Sequence, residues 1–358
     1  MGSVEPGFWD GRRVLITGHT GFKGAWLCEW LLDLGAEVTG LSFNVPTDPS
    51  LFELLGLRAS VRHVEGDVRD ARVVQSTVAE AHPEVVLHLA AQSLVRPSYD
   101  DPVSTFATNV MGTVHVLEAV RTADVAVTLV VTSDKCYDNR EWPWGYREND
   151  RLGGHDPYSS SKACAELVTA AYRARSLVEG GAGRIASARA GNVIGGGDWS
   201  VDRLVPDIAR AALVGEAVQL RNPGAVRPWQ HVLDCLSGYL VLAQRLWDDP
   251  AAAGAWNFGP DVADQRTALE LAQQLISRWP EPVAIDAAPG PHAHEAAALT
   301  LDSSRARAEL GWRPSWSVDE ALERVVEWYV TYSEQGDIAE VTRMQIAQHQ
   351  GRTDESDR

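Results

Sequence analysis

Residues 14–24 read Val14-Leu15-Ile16-Thr17-Gly18-His19-Thr20-Gly21-Phe22-Lys23-Gly24, a short β-favouring run, three glycines spaced by three, and the opening of a helical pattern that continues to Leu34. A strand that ends in a glycine loop and re-enters as a helix is the arrangement that binds a dinucleotide. Glycine lets the chain turn tightly, and it lets backbone N–H groups approach a pyrophosphate at the positive end of the helix. The spacing is GxxGxxG and not the commoner GxGxxG, so the weight of the motif comes from its place at the end of the first strand of a series.

That series fills the first half of the chain. Six β-rich runs, 13–17, 37–42, 61–65, 85–90, 127–132 and 184–190, alternate with helical patterns at 22–34, 70–81, 101–121 and 157–177. Alternation of this kind predicts an α/β fold, a doubly wound parallel sheet of the dinucleotide-binding type, with a smaller C-terminal substrate-binding lobe. The expected division is a dinucleotide domain over 1–192, to which 228–262 returns, a second lobe from 193–227 and 263–334, and a polar, frayed tail over 335–358. Helical patterns at 204–214, 232–247, 267–278 and 318–333 fall in the second half.

Composition bounds the function. In 358 residues, 45% hydrophobic and 23% charged side chains match a soluble globular chain and exclude general disorder. Lys and Arg number 32 against 49 Asp and Glu, and the net charge of -17 repels nucleic acid and anionic membranes. Neither is an expected partner. Cys28, Cys136, Cys164 and Cys235 show no zinc-ligand spacing, and no apolar signal or spanning segment occurs; the expectation is a cytoplasmic protein.

The chemistry-bearing residues lie in two tracts. Tyr158 and Lys162 stand four apart at a helix start, so both point along one face, and an ammonium beside a phenol is expected to lower the phenol pKa toward working pH. Such a tyrosine takes the proton from a sugar hydroxyl as hydride leaves its carbon. The other tract, Thr132-Ser133-Asp134-Lys135, ends a strand at the sheet edge where open α/β folds place their ligands. At the adenosine end, 40–44 reads Gly-Leu-Ser-Phe-Asn without the acidic residue expected for the ribose, leaving NAD and NADP both open. Lys23 is either a ribose-phosphate ligand or an exposed helix-start lysine, and Asp67 either an adenine ligand or a helix cap.

These residues resemble the extended short-chain dehydrogenase/reductase family, and within it the CDP-glucose 4,6-dehydratase subgroup. The runs HTGFKGAWL (19–27), TSDKCYDNREWPWGYREND (132–150), RAGNVIGGGDW (189–199) and RPWQHVLD (227–234) carry the likeness. The resemblance implies that NAD binds at Gly18, Thr20, Gly21, Phe22 and Gly24, at Asp67 and Val68, at Leu89, Ala90, Ala91, Gln92 and Asn109, and at Tyr158 and Lys162. It implies Tyr158 as base for the sugar 4-hydroxyl and Ser133 as its hydrogen-bonding neighbour. Asp134 would be the acid for the departing 6-hydroxyl, and Lys135 the C5 base where thymidine-specific relatives have Glu. Asn192, Arg203, Arg227 and His294 would hold the substrate.

The implied reaction is dehydration of CDP-glucose to a 4-keto-6-deoxy sugar nucleotide by a homodimer or homotetramer paired through the helices near 101–121 and 157–177. The alternatives are another nucleotide-sugar 4,6-dehydratase or a 4-epimerase. Blander readings accompany each residue: Lys135 in a salt bridge to Asp134 or Glu148, solvated arginines, His19 as a loop residue, His88 as a satisfied strand histidine, and His292, His294 and Glu295 without a metal.

Overall fold

The computed structural model describes residues 2–179, 184–286 and 298–351. Its strands are β1 (Arg13–Thr17), β2 (Glu37–Ser42), β3 (Arg62–Glu65), β4 (Val85–His88), β5 (Val127–Val131), β6 (Arg184–Ala190), β7 (Asn192–Ile194), β8 (Val218–Gln219), β9 (Val226–His231), β10 (Ala255–Phe258), β11 (Gln265–Thr267) and β12 (Ile285–Asp286). Seven form one sheet in the order β10-β6-β5-β4-β1-β2-β3, with every pairing parallel. The chain winds outward from β1 in both directions, and the crevice between β1 and β4 is the switch point where such sheets bind ligands.

Both faces of this sheet are covered, which is why its strands read as continuous apolar runs and not as alternations. Val14, Ile16, Val85 and Leu87 pack on one side with Trp26 and Trp30 of helix Phe22–Asp33 and Leu236 and Leu240 of helix Val232–Asp248. Leu15, Val86 and Val130 pack on the other with Val74, Val78, Val116 and Val120. β10 lies beside β6 and brings residues 255–258 back to the main sheet. Two further small sheets, β11-β9-β7 and β12-β8, lie outside it.

Two expectations fail. The helix expected over 101–121 is two helices, Pro102–Phe106 and Gly112–Thr122, joined by a π-helical turn at Ala107–Met111. The wide turn lies where Asn109 bonds to the next layer, with Oδ1 accepting from Gln92 N at 2.9 Å and Nδ2 donating to Ser161 Oγ at 2.8 Å. The expected frayed tail is, over Ile338–His349, a docked helix. Ile338, Val341 and Ile346 are buried, Trp328 Nε1 donates to Thr342 Oγ1 at 3.0 Å, and His349 Nε2 meets the buried Asp234 at 2.9 Å.

Candidate active site

A cavity of about 790 Å³ opens at the carboxyl edge of the main sheet and runs from the glycine loop into the second lobe. At its first end Gly18 has φ +77°, and a Cβ there would stand 2.7 Å from Ala90 N, so only glycine lets β1 leave the sheet beside β4. A Cβ on Gly24 would meet Gly18 O at 2.2 Å. Gly21 opens helix Phe22–Asp33, which has no side-chain cap and no acidic residue in its first turn. Its leading N–H groups are therefore donors for an anion, and the loop fits a pyrophosphate. Thr20 is a brace: its hydroxyl donates to Asn44 O at 2.7 Å and its N–H to Ser42 Oγ at 3.3 Å. Phe22 lines the cavity.

His19 is a loop residue, in the turn that follows β1. It is fully buried, because the absence of a side chain at Gly40 leaves room for its ring. It bonds Ser42 Oγ at 2.9 Å and His63 at 2.7 Å, so the end of β2, where an acid is missing, is occupied by an imidazole pair. Burial and the neighbouring His63 take its pKa down to about 4. Lys23 is half-buried and turned inward, its ammonium 5.9 Å from the Tyr239 ring, which removes the exposed-lysine reading. Asp67 and Val68 line the cavity, but both Asp67 oxygens are engaged by Arg69, at 2.8 Å from its N–H and 2.7 Å from Nε. Burial would raise the Asp67 carboxyl, and the Arg69 bonds hold it below its usual value. The helix cap is Asp70, whose Oδ1 accepts from Arg72 N at 2.9 Å, and not Asp67.

Leu89, Ala90, Ala91 and Gln92 line the middle of the cavity. Asn109 does not: buried one layer behind, it holds the Gln92 backbone from both sides. His88 bonds Thr17 Oγ1 at 2.6 Å and Thr113 Oγ1 at 3.1 Å, and burial takes its pKa down to about 3.

The two tracts meet in this cavity. Ser133, Asp134 and Lys135 leave β5 in a single 3-10 turn capped by Ser133, and helix Pro157–Glu179 brings Tyr158 and Lys162 against them. Ser133 Oγ donates to Asp134 Oδ1 at 2.9 Å. Asp134 Oδ2 is buried without a hydrogen-bond partner, beside the bare backbone of Gly191. Burial raises the Asp134 carboxyl against the pull of Lys135, the Ser133 bond and Arg227. That is the direction of shift a proton-donating carboxyl group requires. Lys135 is half-buried, and among the described residues it makes no ion pair with Asp134 or Glu148. Glu148 instead accepts from Asn257 N at 3.0 Å.

One electrostatic expectation is corrected. Tyr158 is not lowered by Lys162; burial pushes its phenol up to about 12, with a hydrogen bond to Ser133 pulling the other way. Lys162 points past the phenol, donating to Val131 O at 3.3 Å. Burial, then the charge of Lys23, brings the Lys162 ammonium down to about 8.

Beneath both tracts lies an ion pair that sequence reasoning missed. Glu166 Oε2 accepts from Arg189 Nη2 at 2.8 Å and from Ser187 Oγ at 2.7 Å, and Oε1 accepts from the Thr132 hydroxyl. Arg189 Nη1 also donates to Tyr137 OH at 2.8 Å. The network ties the ends of β5 and β6 to the helix that carries Tyr158. The four-residue step from Tyr158 to Lys162 to Glu166 was the available signal.

On the lobe side Asn192, Arg203 and Arg227 line the cavity. Arg203 bonds Asp198 and Ser93, each at 3.2 Å, and so ties the loop before its helix to the segment after β4. Arg227 is buried and donates to Val226 O at 2.8 Å. His294, with His292 and Glu295, lies outside the described residues.

Fold and site together define an extended short-chain dehydrogenase/reductase of the nucleotide-sugar-modifying kind. Residues 15–325 match the family model described as GDP-mannose 4,6 dehydratase, and the chain belongs to that family. It is 46% identical to the CDP-glucose 4,6-dehydratase of Salmonella typhimurium, over 98% of this chain and 99% of that one. Among solved structures it is similar to the dTDP-glucose 4,6-dehydratase of Streptomyces venezuelae with NAD bound, at TM-score 0.78, 25% identity, and coverage of 91% of this chain and 99% of that one. It is also similar to the UDP-glucose 4-epimerase of Thermus thermophilus in complex with NAD, at TM-score 0.77, 26% identity, and coverage of 89% and 99%.

Proposed function

We propose that this chain dehydrates CDP-glucose to CDP-4-keto-6-deoxyglucose with bound NAD. The observation that carries the reading is the convergence of Ser133, Asp134 and Lys135 on Tyr158 and Lys162 in one cavity whose other end is an uncapped glycine loop. Proton removal at the 4-hydroxyl alone needs only the tyrosine and lysine; a buried carboxylic acid and a second amine serve loss of water. The 46% identity to a CDP-glucose 4,6-dehydratase supports the same reaction.

Bound at the glycine loop and along 89–92, NAD would take the hydride from sugar C4 and return it to C6. The chain's own residues do the rest. Tyr158 would receive the 4-hydroxyl proton as a phenolate, a form that the positive charge of bound NAD+ would favour against the burial that raises it, and Ser133, within its hydrogen-bonding reach, steadies the same oxygen. Lys162 holds the nicotinamide ribose. The C4 ketone acidifies C5, Lys135 removes that proton, and Asp134 protonates the leaving 6-hydroxyl. Asn192, Arg203 and Arg227 hold the diphosphate, the arginines as charge-assisted donors.

The chain pairs with a second copy through helices Pro102–Phe106, Gly112–Thr122 and Pro157–Glu179. Support comes from Val103, 78% exposed, Leu167, 61% exposed, and the neighbouring Phe106 and Met111, an unusual set of bare apolar side chains. The four cysteines are all free, which favours a reducing cytoplasm.

The test is incubation with CDP-, dTDP-, UDP- and GDP-glucose, with and without added NAD+, followed by mass spectrometry. Loss of one water from CDP-glucose without net NADH is the expected result; no water loss from any of the four overturns the reading.

A further inference from the structure

The cavity that holds Tyr158 and Lys135 is lined also by Arg203 and Arg227 and, at the end of β8, by Gln219, two residues before Arg221. A nucleotide sugar is linear. With the hexose at Tyr158 and the diphosphate among the arginines, the base falls against β8. There β8 and β12 run parallel with Gln219 opposite Asp286, and the two side chains meet, Gln219 Nε2 donating to Asp286 Oδ2 at 2.9 Å.

That bond fixes a direction. A carboxylate offers only acceptors, so it takes the nitrogen of the amide and never its oxygen. Gln219 is thereby turned with Nε2 on Asp286 and Oε1 left facing away as a free acceptor. Without the carboxylate, the two ends of the amide would be nearly interchangeable.

We propose that Gln219, oriented by Asp286, reads the pyrimidine by offering Oε1 to the 4-amino group of cytosine. The same oxygen meets the 4-oxo group of uracil or thymine acceptor to acceptor, which disfavours those bases in the way a built repulsion does. The inference rests on the nucleotide-sugar reading above and deepens it, assigning the cytosine preference to one side chain and its orienting partner.

Calorimetric titration with CDP and UDP, neither of which reacts, tests it. Gln219 and Asp286 are both exposed, so substitution leaves the fold intact. The wild-type protein is expected to bind CDP about tenfold more tightly than UDP, the scale of one hydrogen bond gained or lost. Gln219→Met should bring the two within about threefold, chiefly by weakening CDP, since its donor loses its acceptor. Asp286→Asn should narrow the gap by improving UDP, because the freed amide can turn its NH2 to the 4-oxo group.

Equal binding of CDP and UDP by the wild type, or an unchanged ratio in Gln219→Met, overturns the proposal. Failure of the two readings is separable. A protein that dehydrates a nucleotide glucose yet binds CDP and UDP alike loses the base reader and keeps the reaction. One that shows the Gln219-dependent ratio yet releases no water keeps the base reader and loses the reaction.

Discussion

Ser133 Oγ donates to Asp134 Oδ1 across 2.9 Å, and this leaves the other carboxyl oxygen of Asp134 buried with no bond of its own. One oxygen is held in place and the other is left without a partner. Burial shifts the pKa of Asp134 in the direction that an acid role needs. Asp134→Asn keeps the shape and removes the proton. The expected outcome is a fall in kcat of about 10²- to 10⁴-fold, with reduced-nicotinamide absorbance building up on substrate addition because oxidation at C4 outruns loss of water. A kcat within a few-fold of wild type would remove Asp134 from the acid role.

Lys135 stands next in the same turn and lines the same cavity. Lys135→Ala should abolish exchange of the C5 proton with deuterated solvent while leaving NAD+ affinity unchanged. Exchange at the normal rate rejects Lys135 as the C5 base.

His19 and His88 give the fold an acid sensitivity with a definite sign. Their folded pKa values, about 4 and about 3, lie below the 6.5 of the unfolded chain. Between those limits the unfolded state binds more protons, so stability is present above pH 6.5 and is lost as pH falls below it. From pH 7 to pH 5 each histidine should remove about 2 kcal/mol from the unfolding free energy. Urea titrations at the two values check this, and equal midpoints would contradict it.

The C-terminal helix should matter to the whole domain, since Ile346 is fully buried in the main core and Trp328 bonds across to Thr342. Ile346→Ala is expected to lower the unfolding free energy by about 2–5 kcal/mol. A change below 0.5 kcal/mol, roughly the surface-substitution range, would mean that the helix is not anchored as described.

The parts that were legible in the sequence are those whose signal is local. β1, β2 and β6 occupy the residues their β-rich runs indicate, and helix Val318–Ser333 starts and stops where the pattern does, behind a Ser317–Glu320 capping box. The glycine loop and the 132–135 and 158–162 tracts carry their chemistry in short order along the chain.

What escaped depends on distant partners. The tail looked polar because Ile338, Val341 and Ile346 are thinly spread, and the side chains that dock that helix, Glu29, Asp234 and Trp328 among them, lie on other elements. His19 is buried because Gly40 leaves it space. Tyr158 is raised and not lowered because burial outweighs the Ser133 bond, while Lys162 donates to Val131 O, tertiary details that the four-residue spacing does not encode.

Internal return of hydride from C4 to C6 during loss of water separates this reaction from plain oxidation and from epimerisation. CDP-glucose carrying deuterium at C4, turned over in ordinary water and read by NMR, tests it most directly. The expected result is deuterium in the C6 methyl group of a 4-keto product with no net NADH. Deuterium found in solvent or left at C4, or a product that keeps its 6-hydroxyl, would contradict the account.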